Sequence, residues 1–299
     1  MTDERNLARR HNPALNVNKA TGLAVSLASS ELGFNVHAGF LDALTEAHVF
    51  PAHLGAASSG AYVGGLYAAG FHPKKIREIL STKSMLRSFL EWRGPLRGLG
   101  MLVNFPGYNG LLSGRKVAAY LKRFLGDCRI EECVTAELSI AVTNLTKGRS
   151  EIIRKGPLVE FIVASCAVPG LFKSHEIEGN FYWDGAVSDS SPFHHFLSDA
   201  RVQHILVHVI SHGSSHLVEG KPLAMAQSFG RAHQIVTDRL LNLTLECGKL
   251  QGKHVTILNT VVPRYRWGKK GTADLLFEAG RQTVLNNLTL IQAAATASL

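Results

Sequence analysis

Long apolar runs are missing from this 299-residue sequence. No window reaches the ~18 uninterrupted apolar residues of a membrane-spanning helix, which leaves out a helical membrane bundle. Cysteine is scarce as well. Cys128, Cys133, Cys166 and Cys247 form no CxxC pair, so neither a zinc ribbon nor a dithiol redox motif is present, and free thiols in a reducing compartment are expected. Acidic residues are in deficit: 32 Lys and Arg against 23 Asp and Glu leave a net charge of +9. Such a balance favours anionic partners, either nucleic acid or an acidic lipid surface. The basic residues nevertheless occur in scattered pairs, as in HPKKIRE, LKRF and WGKK, with no aromatic-interleaved RNA motif and no zinc-finger spacing. Nucleic acid is therefore not the expected partner. No internal repeat, low-complexity tract or proline-rich linker divides the chain. Arg9-Arg10 is followed by HNPALNVNKA, where an export signal has an apolar stretch, so residues 1–21 read as a polar arm and the protein as cytoplasmic.

What the chain does have is alternation. GLAVSLA (22–28), LSIAVTNL (138–145) and HILVHVI (204–210) are short apolar runs of the kind found in strands buried on both faces. Between them lie amphipathic stretches such as GRKVAAYLKRFLGD (114–127), which spaces Val117, Leu121 and Leu125 four apart and closes on Gly126. The pattern predicts an α/β fold with a mainly parallel sheet covered by helices. Residues 22–197 carry the motifs described below, and 198–299 read as the remainder of the same domain.

One stretch concentrates small residues. HLGAASSGAYVGGLYAAGF, His53 to Phe71, reads as a strand, a turn holding Ser58 and Ser59, and a helix closed by Gly70. A serine between strand and helix fits a nucleophile elbow, whose neighbours two residues to either side must be small. For Ser58 these are Ala56 and Gly60; for Ser59 they are Ala57 and Ala61. Gly60 favours Ser58. Two glycines in mid-helix, Gly64 and Gly65, each cost roughly 0.8–1 kcal/mol relative to alanine, which predicts close packing of that helix.

A nucleophilic serine needs a base. The 14 histidines offer none in a recognisable context. His204, His208, His212 and His216 recur every four residues, but on a strand running into a turn this spacing does not gather metal ligands. IEGNFYWDGAVSDSSPF supplies a better partner: two short strands around a Gly-Asn turn end at Asp184-Gly185-Ala186. The aromatic run shields the carboxylate, which acts as a base toward a hydroxyl only in a dry site. Residues 81–113 mix Arg87, Arg93 and Arg97 with Met85, Leu86, Phe89, Leu90, Trp92, Leu102 and Phe105. They read either as an irregular cover on the core or as a lid and lipid-contact surface.

These motifs resemble the bacterial patatin-like phospholipases. AASSGAYVGGLYAAG resembles the family's nucleophile segment, ASCAVPGLF (164–172) its linking segment and WDGAVSDSSP (183–192) its aspartate motif, in family order. GLLSGRKV (110–117), TNLTKGR (143–149) and FEAGRQTVL (277–285) are similar too. The resemblance implies a three-layer α/β/α sandwich and a lipid acyl hydrolase with Ser58 as nucleophile and Asp184 as base. It implies no metal and no cofactor, a lipid or small ester as substrate, and peripheral contact with an anionic membrane surface. Two positions differ from the family pattern. Ala56 replaces the usual glycine, and the glycine-rich oxyanion loop is here Ser26-Leu27-Ala28-Ser29-Ser30-Glu31-Leu32-Gly33. The oxyanion donors expected on this basis are the amides of Ser29, Ser30, Gly33 and Ser59, with Glu31 facing either the hole or solvent. The altered loop also admits a second reading, a fold that binds lipid or a partner without turnover.

Overall fold

The computed structural model describes residues 20–89, 91, 98–101, 103, 105, 107–212, 224–262 and 271–298. The polar arm therefore lies outside the described residues up to position 19, as do Leu90, Trp92, Arg93, Arg97, Leu102 and His216.

Among the described residues ten strands occur: β1 (Ala20–Leu27), β2 (Pro51–Ala56), β3 (Gly110–Leu112), β4 (Glu137–Asn144), β5 (Arg149–Ile153), β6 (Gly170–Phe172), β7 (His175–Ile177), β8 (Asn180–Asp184), β9 (His204–His212) and β10 (His254–Val262). Eight form one sheet in the order β10-β9-β1-β2-β4-β8-β7, with β5 pairing β4 off this path. From β10 to β4 every pairing is parallel. The β5, β7 and β8 hairpin strands are antiparallel, so the sheet is mixed and mostly parallel.

Alternation along the strands sorts the core into two layers. On β1 and β9, Leu23, Val25, Leu27 and Leu206 face the larger cluster, which includes the helices Phe34–Glu46, Ser59–Ala68 and Leu158–Ser165. Ala24, Ile205 and Val207 face the opposite side, where Phe193, Phe196, Leu197, Leu241 and Leu245 cover them. Helices on both faces are what strands apolar on both faces require. The small residues of Ser59–Ala68 find their packing reason here: the helix lies so close to β2 and to Leu158–Ser165 that an added Cβ at Gly65 would stand 2.5 Å from the Ile162 side chain.

The order of strands also places the site. β2 and β9 lie on opposite sides of β1, so the chain reverses its direction of travel across the sheet at β1, where α/β sheets open a crevice beyond the strand ends. The loop after β1 and the turn after β2 meet there.

The 81–113 segment divides. Met85 is buried and Phe89 packs against the core, and β3 pairs with β6. By contrast Leu99, Val103 and Phe105 are more than 60% exposed.

Candidate active site

Ser58 follows β2 with φ 52° and ψ −120°, a conformation that side-chain-bearing residues seldom adopt and that costs of order 1–3 kcal/mol. Three contacts hold it. The Ser58 amide donates to Ser165 Oγ at 2.9 Å, Ser165 Oγ donates to the Ala141 carbonyl at 2.8 Å, and the Cys166 thiol donates to the Ser58 carbonyl at 3.1 Å. Burial pushes the Cys166 thiol well above its usual range, so it keeps the proton it donates. Gly60 answers the steric demand of the turn: a Cβ there would lie 2.3 Å from the Leu27 carbonyl oxygen. Ala56 is tolerated because its methyl faces Gly64.

The strained turn aims Ser58 Oγ at Asp184, to whose Oδ2 it donates at 2.7 Å. Asp184 ends β8 and is 1% exposed. Its Oδ1 accepts the Ala186 amide at 2.8 Å, its own amide donates to the Ala167 carbonyl, and Thr143 Oγ1 donates to its carbonyl. A side chain at Gly185 would stand 2.3 Å from the Ala141 carbonyl; only glycine lets this turn press against β4. Burial raises the Asp184 carboxyl from an ordinary 3.8 to about 7, opposed by the hydrogen bonds from Ala186 and Ser58. The pair is thus a hydroxyl hydrogen-bonded to a desolvated carboxylate, able to lose its proton as it attacks an electrophile.

Ser59 differs from its neighbour. It is 1% exposed and its Oγ is buried without a partner among the described residues, whereas its amide opens a helix whose first N–H groups lack intrahelical acceptors. In the loop after β1, the Ser29 amide is engaged, donating to the Ser190 carbonyl at 2.7 Å; this removes it from the expected oxyanion donors. Ser30 turns its hydroxyl back against Gly33, with Oγ buried and unpartnered among the described residues. Glu31 is exposed, and Leu32 next to it has φ 55°.

Two histidines set this loop from behind. His37 Nε2 lies 2.9 Å from the Ala28 carbonyl and so carries the proton donated there; His37 Nδ1 then accepts from His208 Nδ1 at 2.9 Å, and His208 Nε2 accepts from Thr260 Oγ1 at 2.9 Å. Burial lowers His37 to about 4 and His208 well below its usual value, so both are neutral. His204 instead stacks on His254, and among the described residues no three His, Cys, Asp or Glu side chains gather as metal ligands.

The sequence model of patatin-like phospholipases matches residues 33–197, more than half of the chain and both Ser58 and Asp184. This chain belongs to the patatin-like phospholipase family. It is also 32% identical over 83 residues to an uncharacterized NTE family protein of Mycobacterium bovis (strain ATCC BAA-935 / AF2122/97), and equally so to uncharacterized NTE family proteins of two Mycobacterium tuberculosis strains, CDC 1551 / Oshkosh and ATCC 25618 / H37Rv. The matched stretch is 28% of this chain and 23% of each relative, so the patatin-like chain spans about a quarter of the length of these curated relatives. Among solved structures, VipD from Legionella pneumophila aligns with a TM-score of 0.46 and 14% identity over 91% of this chain and 67% of its own. The type III effector protein ExoU aligns with a TM-score of 0.43 and 13% identity over 92% and 54%.

Sequence reasoning places three residues in the linking segment without assigning them a role in holding the pair together. Ser165 and Cys166 brace Ser58, and Ala167 fixes Asp184. Their signal was present in ASCAVPGLF, whose small residues join two distant segments, but which atoms they bond depends on how β2, β4 and β8 come together. No helix among the described residues is long and apolar enough to cross a membrane.

Proposed function

We propose that this chain is a lipid acyl hydrolase of phospholipase A or esterase type, working through Ser58, Asp184 and an acyl-enzyme. Ser58 Oγ attacks the ester carbonyl carbon while Asp184 takes its proton. The tetrahedral intermediate collapses, the alcohol leaves with the proton returned by Asp184, and the acyl group stays on Ser58. Water then attacks the acyl-enzyme with Asp184 again as base, freeing the fatty acid and restoring the hydroxyl. A carboxyl titrating near 7 both accepts and returns a proton at neutral pH. The Ser59 amide, with the Ser30 and Gly33 amides of the facing loop, stabilises the oxyanion; one such donor is worth roughly 3 kcal/mol. The exposed Leu99, Val103 and Phe105, on a chain of net charge +9, contact an anionic lipid surface, as a peripheral protein does.

The observation that carries this reading is the 2.7 Å hydrogen bond from Ser58, held in its strained turn, to buried Asp184. The engaged Ser29 amide favours a second reading, a lipid binder with little turnover. A fluorophosphonate probe and ester hydrolysis distinguish them. Labelling confined to Ser58 is expected, with turnover lost in Ser58→Ala and in Asp184→Asn and no further loss in the double variant, because the two act as a unit. Folded protein that neither reacts with the probe nor turns over short- or long-chain esters selects the binder.

A further inference from the structure

The helix Met225–Leu250 has 26 residues and is roughly 39 Å long. Among the described residues only its second half meets the body: Leu241 and Leu245 pack with Val209, Val255 and Ile257, and Gly248 faces Val255 and Leu197. Toward its first half, the described side chains from Gln227 to Leu240 are exposed apart from half-buried Arg231 and Thr237.

Turned away from that packed side is a second apolar stripe. Val236, Leu240, Leu243, Cys247 and Leu250 recur at alternating steps of four and three, the a/d spacing of a helix-helix seam. At 3.6 residues per turn it lies roughly 150° around the helix from Leu241, Leu245 and Gly248, so the described residues of the body leave it open. Val236, Leu240, Leu243 and Leu250 are exposed by 55%, 42%, 40% and 88%, and Cys247 is exposed too. Beside the stripe stand Arg239 and Glu246, both exposed and neither paired with a described residue.

We propose that this stripe docks on the same stripe of a second copy of the chain, as an antiparallel helix pair about a two-fold axis near residues 241–242. In that register Leu240 meets Leu243 of the second copy, Val236 meets its Cys247, and His233 meets its Leu250. Arg239 then stands opposite Glu246 of the second copy and Glu246 opposite its Arg239. This pattern is self-complementary, as a two-fold interface requires. A parallel pairing instead sets Arg239 against Thr244 and leaves Glu246 facing Gln251, with no ion pair. A lipid surface is disfavoured because Asp238, Arg239, Glu246 and Lys249 mix both signs where a helix lying on anionic lipid shows Lys and Arg. The seam is short, so the dimer belongs to the weak, micromolar class.

Sedimentation velocity from about 1 to 100 µM brackets that class. A reversible monomer-dimer equilibrium is expected, abolished by Leu240→Glu with Leu243→Glu. Arg239→Glu or Glu246→Arg alone weakens it about ten-fold, and the two together restore it; this charge swap decides the matter should the leucine variant not fold. Oxidised glutathione should cross-link Val236→Cys protein into dimers through Cys247 of the second copy, but neither the unaltered protein nor Val236→Cys with Cys247→Ser. A monomer across the whole range, a dimer indifferent to the charge swap, or cross-linking of the unaltered protein through Cys247 alone overturns the proposal. So does a monomer whose anionic-vesicle binding is lost with the two leucines, which assigns the stripe to lipid.

Discussion

Ser165 Oγ joins Ser58 to Ala141, accepting the Ser58 amide at 2.9 Å and donating to the Ala141 carbonyl at 2.8 Å. The side chain is fully buried, so deleting its hydroxyl leaves both backbone groups without that partner. Ser165→Ala is expected to cost about 1–3 kcal/mol in urea denaturation and to lower kcat for ester hydrolysis with KM little changed, because the strained turn loses a brace. Ser165→Thr keeps the hydroxyl and should recover part of the turnover. Equal kcat in all three proteins would show that Ser58 holds its conformation unaided.

Asp184 titrates near 7 in the folded chain against 3.8 ordinarily. As the proposed base it must be ionised, so turnover should rise with pH to a plateau, half-maximal near 7. Stability runs the other way. Because the folded-state value lies above the unfolded one, the contribution of this group is complete below about pH 4 and is lost as pH rises through 7. Asp184→Asn carries no charge to bury; it should be inactive yet more stable than the unaltered protein at pH 8, on the order of 2–4 kcal/mol, with the difference closing as pH falls to about 4. Thermal denaturation at the two pH values measures it.

The buried histidines have the opposite sign. Burial lowers His37 to about 4 and His195 to about 3, and drives His208 down as well, all below the 6.5 of an unfolded chain. Their contribution is present above pH 6.5 and is lost as pH falls through about 4. Three such groups outweigh Asp184, so denaturation midpoints should drop between pH 7 and 4.5. Midpoints that rise over this interval would show that the imidazoles are not shielded from water.

Leu99, Val103 and Phe105 are exposed on a segment that packs inward through Met85 and Phe89. Leu99→Asp with Phe105→Asp should weaken binding to anionic vesicles several-fold while leaving hydrolysis of a short, soluble ester unchanged, and added salt should weaken binding by the unaltered chain. Equal binding to neutral and anionic vesicles, insensitive to both changes, would remove this surface from the account.

Much of this architecture is legible in the chain because local physics dictates it. Leu23, Val25 and Leu27 alternate with Ala24 and Ser26 as a strand covered on both faces must, Gly126 closes the helix Arg115–Leu125 at φ 60°, and Gly60 is small where the Leu27 carbonyl crowds it. What is not legible is long-range. Nothing around Ser29 announces that its amide meets Ser190, since that contact arises only when the segment after β8 folds over the loop after β1. The histidine spacing on β9 likewise does not reveal that His208 turns to His37, on a helix 171 residues earlier. Ser58 and Ser59 are chemically alike; the helix start after a single turn residue is what buries one hydroxyl and presents the other.

Among the described residues β1 comes first in chain order and is one of the last strands to be completed. Its neighbour β9 begins at His204, which pairs with Leu23, so a ribosome must deliver all the residues between these two before the middle of the sheet can close. Until then β1 has one bare edge, a template for any extended segment nearby, and the loop after it lacks the His208 and Ser190 contacts that shape it. A nascent chain released early has Ser58 and Asp184 but not the frame around them. The order of synthesis therefore delays the frame around this pair until β9 is made, and the strand edge left open meanwhile is the kind of surface that pairs wrongly during folding.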